Sequence, residues 1–329
     1  MGRTRNHETS DGSGGLSLKA LNKIGPFLGL IAVLLLFSVL RPKTFATFDN
    51  FQLILLQTAV VGIAAIGATL IIVSGGIDLS IGSNIALCTI VVAKLLNAGL
   101  PPLVAGLGGI AAGGLCGLII GILITRFKLT PFIVTLGAWG ALRGLAKGLA
   151  NETVVSAPRT WLNSLLEMPS QKWMIFPIGV WLMILLGAAV SAMLKYTRFG
   201  RHIFVIGSNE ATARLCGIAV EPRKLLIYTL GLSFVGLAGV LQFSYLSMGD
   251  PTTANGYELN AIAAVVIGGG SLAGGQGSIL GSLLGATIMT SIANGCTKMD
   301  LQNWVQEIVT SAIIVLAVGL DRLRHKAAS

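Results

Sequence analysis

Few residues in this sequence are equipped for chemistry, and their placement limits what that chemistry can be. Of thirteen acidic residues, only Asp78, Glu258 and Glu307 touch long apolar stretches. A carboxylate at the centre of a bilayer costs about 2.5–3.5 kcal/mol on insertion scales, so each asks for a function or a partner. Asp78 follows Gly75–Gly76 and precedes an apolar run, where it either caps a helix N-terminus or lines a path or gate. Glu258, beside Tyr257 and Asn260 at the start of a short run, has the same two readings. Glu307 falls one turn inside the last apolar run. All three histidines (His7, His202, His325) lie in polar stretches. Embedded acid or histidine relays of the proton-coupled kind are therefore missing, and the energy for any transport is expected from elsewhere. The four cysteines (Cys88, Cys116, Cys216, Cys296) lack CxxC spacing and read as small buried side chains, not as a metal site or disulfide framework. No nucleophile–base pair is visible, so neither a catalytic residue nor a metal is expected.

Glycines carry more pattern than the ionisable groups. Gly109, Gly113, Gly117 and Gly121 recur every fourth residue, as do Gly277, Gly281 and Gly285. That spacing puts each set on one helix face, where a neighbouring backbone can approach closely. The stretch Gly268–Gly277 is richer still, but no lysine follows a glycine in it, as a phosphate-cradling P-loop requires. It reads as a tight bend between two membrane segments. A fainter version of the same pattern, apolar run then Gly-Gly then small residues then helix, occurs at Leu70–Ser83.

These features need a scaffold, and composition names its class. Of 329 residues, 53% are hydrophobic and 11% charged, with a mean hydropathy of +0.82. Soluble domains carry roughly 25% charged residues, so this chain cannot cover a water-facing surface. Apolar runs occupy 24–40, 51–73, 81–96, 103–125, 131–149, 175–194, 225–246, 278–293 and 304–320, with a shorter one at 259–267. About 20 apolar residues cross a ~30 Å hydrocarbon layer. The expected fold is an all-α integral membrane protein of about ten transmembrane helices, some short or broken. Residues 24–320 form one polytopic domain, 1–23 a flexible tail and 321–329 a second tail. With the N-terminus inside, fifteen lysines and arginines fall on inner segments and six, Lys172 among them, on outer ones. This bias places both termini in the cytoplasm. The +10 net charge then faces anionic lipid headgroups. Nucleic-acid binding is excluded, because no basic face interleaved with aromatics is present.

The longest inner polar segment, 195–224, reads Thr197-Arg198-Phe-Gly200-Arg201, then Gly207-Ser-Asn209-Glu210-Ala211, then Ala213 and Gly217-Ile218. Asn209 is placed to cap a short helix starting at Glu210, and Gly217 to stop it. The segment is either a docking element or an ordinary solvated loop. On the outer side, 151–173 is the longest loop, with Trp161, Leu162, Leu165 and Leu166 at helical spacing. It is expected on the membrane surface or against a partner.

Four ordered blocks carry a resemblance that covers nearly the whole chain after residue 45. They are Ser74-Gly-Gly-Ile-Asp-Leu-Ser-Ile-Gly82; Pro131-Phe-Ile-Val-Thr-Leu-Gly137 with Arg143-Gly144; the 197–218 motifs above; and Gly256-Tyr-Glu-Leu-Asn-Ala-Ile-Ala-Ala-Val-Val-Ile-Gly268 with the glycine stretch after it. The chain resembles the permease subunits of bacterial ATP-binding-cassette importers for monosaccharides, and ribose permeases above all. It departs from them at Asn260, where that subgroup is expected to carry Asp. The resemblance implies an inner-membrane homodimer with its pathway between the subunits. It also implies a cytoplasmic ATPase that binds the ATP and magnesium, and a periplasmic binding protein that delivers the sugar. This chain itself is then neither an enzyme nor a cofactor binder. The 197–218 helix would couple to the ATPase through Thr197, Arg198, Gly200, Arg201, Gly207, Asn209, Glu210, Ala213 and Gly217. A neutral sugar needs hydroxyl and amide partners, for which Ser74, Ser80, Asn84, Thr135, Asn260 and Ser271 are candidates beside Asp78 and Glu258. For each serine and threonine, a bond to its own helix backbone is the alternative. Two other functions fit the same residues: the same importer architecture for a nucleoside, a signalling furanose or a branched-chain amino acid, and a stand-alone carrier.

Overall fold

The computed structural model describes residues 14–168 and 175–328; Lys172 and the first thirteen residues of the expected tail lie outside them. Twelve helices follow in order: α1 Gly14–Leu40, α2 Phe48–Val73, α3 Ile81–Asn97, α4 Pro102–Arg126, α5 Pro131–Leu149, α6 Ile178–Tyr196, α7 Arg198–Ser208, α8 Glu210–Leu215, α9 Val220–Leu246, α10 Tyr257–Ile267, α11 Ile279–Lys298 and α12 Asn303–Ala328. The terminal segments expected as tails are thus partly helical: α1 begins at Gly14 and α12 runs to Ala328. No proline or glycine interrupts 15–23 or 320–328 to stop a helix that the adjoining span has already nucleated, apart from Gly15 at the very start.

Five helices, α2, α4, α6, α9 and α11, are long and apolar enough to cross a membrane. Shorter apolar stretches occur at Gly25–Leu40, Ile81–Asn97, Tyr257–Ile267 and Asn303–Gly319. With α5, which carries Arg143 and Lys147 among its nineteen residues, they make up the ten expected crossings. Local chemistry sets the boundaries. Prolines at 102 and 131 open α4 and α5, where a missing N–H costs nothing. Thr47 caps α2 through the Asn50 amide and Ser278 caps α11 through that of Gly281.

Helix α2 is apolar all round and buried along nearly its whole length, so it is the inner helix of the bundle. Beside it runs α9, whose buried face from Ile227 to Ser244 also packs on α3 and α4. Large apolar side chains left exposed on α1, α4, α5, α6 and α12, such as Leu35, Leu107, Ile133, Leu185 and Val315, form the surface that lipid covers. The α4–α9 seam depends on missing side chains. A Cβ on Gly113 would lie 2.5 Å from the Leu232 carbonyl oxygen and 2.7 Å from Gly236 Cα. Gly117 and Gly121 abut Tyr228–Leu232 and Leu225 in the same way, and Gly109 abuts Val92 and Val240. A second glycine seam joins α11 to α10, where Gly281 and Gly285 rest on the backbone of Gly268 and Ala264.

The described part of the outer loop after α5 lies against the end of the bundle. Among its described residues it holds a 3-10 turn, Asn163–Leu165, and a two-residue strand, β1 (Val155–Ser156), paired antiparallel with β2 (Met248–Gly249). Leu162 and Leu166 are buried among the helices instead of on a membrane surface, and the Ser244 hydroxyl accepts the Leu166 amide and donates to the Asn163 carbonyl. Apolar residues with spacing suited to a helix here follow the contour of the bundle end.

One substitution made at two glycines separates packing from propensity. Gly113→Ala should destabilise by about 1–3 kcal/mol through overpacking. Gly140→Ala, with no atom within 4 Å of the new methyl, should stabilise by up to ~1 kcal/mol through helix propensity. Thermal unfolding of the purified chain in detergent checks both; a parallel response at the two sites would refute the seam.

Candidate functional site

Two non-helical segments enter the bundle and create its polar interior. The first, residues 74–80, leaves α2 through a turn with Gly75 at φ 82° and leads into α3. Asp78 lies at its centre and is almost fully buried. One carboxylate oxygen accepts both the amide and the hydroxyl of Ser80 at 2.7 Å, while Oδ2 has no partner. Asp78 therefore closes a turn ahead of α3 without touching the amides of the helix itself. Thr135 on α5 donates toward the Ile77 carbonyl at 3.3 Å and toward Pro131 on its own helix at 3.0 Å. Ser83 Oγ and Asn84 Nδ2, in the first turn of α3, are buried without partners.

The second segment, 248–256, turns back from the outer end of α9 into the N-terminus of α10. Three side chains from three helices satisfy its backbone and hydroxyls. Arg143 Nη1 donates to the carbonyls of Pro251 and Thr253 at 3.0 and 2.7 Å. Gln242 Nε2 donates to Thr253 Oγ1 at 2.8 Å, and Thr89 Oγ1 accepts the Asp250 amide at 3.2 Å. Within the segment, Asp250 Oδ1 accepts the amide and hydroxyl of Thr252. Helix α10 has only eleven residues, about 16 Å at 1.5 Å per residue, roughly half the hydrocarbon thickness. Its first turn therefore begins inside the bundle, and Glu258 there is buried with Oε2 unpaired. Gly82 at the start of α3 faces Ala254 and Glu258 so closely that a Cβ would overlap them. The two segments thus meet at the helix starts of α3 and α10.

A cavity of about 280 Å³ opens beside this junction, between α2, α9, α10 and α11. Its polar lining is Gln57, Gln242, Asn260, Thr290, Asn294 and Thr297, with Tyr245 and Tyr257 as aromatic walls and Lys298 at the outer end of α11. Among the described residues, no carboxylate lines it. A wider groove of about 510 Å³ lies between α10 and α12 and includes Glu258, Asn260, Gln306, Glu307, Thr310 and Ser311. Asn260 and Ala293 border both spaces.

The predicted path residues divide among three places. Glu258 and Asn260 face the cavity or groove. Asp78, Ser80, Asn84 and Thr135 are enclosed at the inner junction. Ser74 and Ser271 sit at the basic end, where Ser74 donates to Ile71 on its own helix at 2.7 Å and Ser271 accepts the Ala273 amide at 3.2 Å. Gln57, Gln242, Thr290 and Asn294 line the cavity away from any acidic residue or bend in the sequence; their readable signal is a polar side chain within or at the end of an apolar run.

At the basic end, the two glycine bends find each other. The Gly275 amide donates to the Val73 carbonyl at 2.9 Å, and a Cβ on Gly207 would run into that same carbonyl and lie 2.6 Å from Gly275 N. Gly274, Gly275 and Gly277 have φ of 88°, 74° and 157°, of which the first two need glycine. Gly207, grouped by sequence with coupling residues, is thus a packing point between α7, α2 and the 268–277 bend. Gly200 is similar, with a would-be Cβ 2.5 Å from Leu194 Cα. Thr197 caps α7 through the Gly200 amide, Asn209 caps α8 through the Thr212 amide, and Gly217 at φ 76° ends it. Ala213 packs against Ile206 and Val220, while Arg198 and Arg201 stay exposed. Glu210 ties α8 to α9: it accepts from Arg214 at 2.8 Å and pairs with Lys224, and Arg214 also pairs with Glu221.

Residues 50–318 match the family model described as branched-chain amino acid transport system / permease component. The chain belongs to that permease family. It is 38% identical to the ribose import permease protein of Escherichia coli K12 over 91% of its own length and 93% of that protein's. It is 37% identical to the Bacillus subtilis ribose import permease protein (92% and 93% covered) and 34% identical to the fructose import permease protein of Rhizobium meliloti (92% and 86% covered). No solved structure matches. The chain is a multi-pass permease of the bacterial inner membrane, a transport subunit, as its helices and relatives agree.

Partial burial raises the Glu210 carboxyl, but hydrogen bonds and charge from Lys224 and Arg214 outweigh it and hold it below the usual 4.5. A lowered native value means that the tie of α8 to α9 is complete above about pH 4.5 and is lost as pH falls through the lowered value. Since these groups are partly exposed, the effect is small. The protection of α8 amides, relative to the intrinsic exchange rate at each pH, should fall a few-fold on acidification below that value, and Glu210→Gln should show the lower protection already at neutral pH. Equal protection in both forms across the range would contradict the tie.

Proposed function

We propose that this permease forms the membrane path of an ATP-driven importer for a monosaccharide, with ribose or a related pentose as the cargo. The observation that carries the reading is the cavity between α2, α9, α10 and α11, lined by amides, hydroxyls and two tyrosines, with Lys298 at its outer end and no carboxylate among the described residues. Such a lining can replace water around the hydroxyls of a neutral sugar and stack on its apolar face. An amino-acid zwitterion would leave its ammonium without a counter-charge there. That the curated relatives include ribose, fructose and D-allose permeases supports the same cargo class.

Two further features support the assembly. The groove between α10 and α12 carries Gln306, Glu307, Thr310 and Ser311 on a helix whose outward side is otherwise apolar, with Ile308, Val315 and Leu316 exposed. Polar side chains at membrane depth are costly against lipid, and a second copy of the chain covering this groove would remove that cost and place two grooves face to face. On the basic face, Leu215 at the end of α8 is 88% exposed beside Arg214, an apolar knob fit to enter a pocket on a cytoplasmic ATPase. The ATP and magnesium belong to that partner. Movement of α8 passes through its ionic tie into α9, and α9 ends at Gln242 and Tyr245 in the cavity wall, so the two sites share one rigid element. On the outer side, a binding protein supplies the sugar.

The test is the assembled importer in proteoliposomes, with ATPase and binding protein present. A pentose or hexose should stimulate ATP hydrolysis and accumulate inside, whereas leucine should do neither. Gln242→Ala should cut uptake roughly tenfold, as expected for a lost hydrogen bond to substrate and to Thr253, without reducing the amount of assembled complex. Stimulation by leucine, or sugar accumulation by the purified permease alone, would overturn the proposal.

A further inference from the structure

We infer that Arg143 is a positioning residue: through its bonds to the Pro251 and Thr253 carbonyls it pins the re-entrant segment 250–256 in place as the outer support of the cavity wall. This inference rests on reading the cavity as the path, but its geometry stands by itself. Arg143 lies six residues before the outer end of α5, about 9 Å along the helix, and its side chain crosses from α5 to a segment that makes no regular backbone ladder. One guanidinium nitrogen serves both carbonyls, at 3.0 and 2.7 Å. Its other terminal nitrogen, Nη2, is buried without a partner. A purely structural clasp would be expected to use all its donors or to be neutral, as Gln242 is. Here a charge is kept at a half-buried position to hold two backbone carbonyls, and charge-assisted bonds are about twice as strong as neutral ones.

What the clasp controls is the direction in which the chain enters α10. Ala254 and Gly256 both have left-handed backbones, at φ 56° and 81°, immediately after the pinned carbonyls. They turn the chain so that Tyr257 and Asn260 face the cavity and Glu258 faces Gly82. Thr89 and Gln242 hold the same segment through neutral bonds, so loss of Arg143 should loosen the segment and leave the bundle folded. Ala254, buried at 6% exposure, would then become reachable from outside.

Accessibility of a thiol at position 254 tests this in the full chain, reconstituted without ATPase or binding protein. Ala254→Cys is introduced with Cys216→Ser, since Cys216 is exposed and the native Cys88, Cys116 and Cys296 are buried. A membrane-impermeant charged maleimide added outside reports on the segment, and Cys296, buried at the outer end of α11, reports on the general fold. Arg143→Met should raise labelling at 254 by roughly tenfold or more, the population shift expected from losing two charge-assisted bonds, with Cys296 unchanged. Arg143→Lys, which keeps a cation with three donors, should return the rate to within about threefold of the parent. Unchanged labelling at 254 would overturn the inference and leave the importer reading standing. A parallel rise at 254 and 296 would overturn it too, because Arg143 would then be supporting the whole fold.

Discussion

Inside a bilayer no water satisfies a backbone that leaves the helical conformation. That constraint organises this molecule, because its functional interior is made where two segments, 74–80 and 248–256, do leave it. Each is tolerable only because the surrounding helices supply partners. Thr135 and Asp78 serve the first segment, and Arg143, Gln242 and Thr89 serve the second. Four of these, Thr89, Thr135, Arg143 and Gln242, interrupt the apolar runs of α3, α5 and α9. The polar side chains that look like defects in a membrane helix are therefore the conditions for having any interior other than packed helices.

The scaffold holding these partners in register is built on absence. With lipid as apolar as leucine, helices in a membrane gain little by hiding apolar surface from each other and depend on close contact. The glycines of α4 bring its backbone onto α9, and those of α11 bring it onto α10. Helix α9 touches α2, α3 and α4, carries the ionic tie of α8 at one end and a cavity wall at the other, and so links the basic face to the outer half as a single rigid body. At the basic face the glycines of 207 and 274–275 let three backbones converge on the end of α2.

The contrast between the two polar spaces also has a physical origin. The cavity enclosed by α2, α9, α10 and α11 is uncharged except at its outer rim, as suits a solute that exchanges hydration for amides and hydroxyls without a net charge to neutralise. The open groove along α12 holds two carboxylates, Glu258 and Glu307, whose cost falls on whatever covers it. Asn260 stands on the wall between them. A neutral amide at that point adds no negative charge to the cavity wall, where an aspartate would.

Much of this was legible in the sequence, for reasons local to a helix or a turn. Apolar length fixes the number of crossings, the bias of lysine and arginine fixes their direction, and four-residue glycine spacing marks a face whatever it meets. Asn209 and Gly217 delimit α8 because capping depends on neighbours three or four residues away. Other features were set by residues far apart in the chain. That Arg143 serves Pro251 and Thr253, that Gly207 meets Val73 and Gly275, and that Gln57, Gln242, Asn260 and Asn294 share one cavity follows from helix packing across separations of 18 to more than 200 positions. The outer loop shows the limit from the other side: Leu162 and Leu166 carry a helical spacing, yet they are buried against the end of the bundle around a 3-10 turn. Local chemistry decides what each segment is; only the tertiary fold decides which unpaired donors and acceptors are left facing one another, and that remainder is the site.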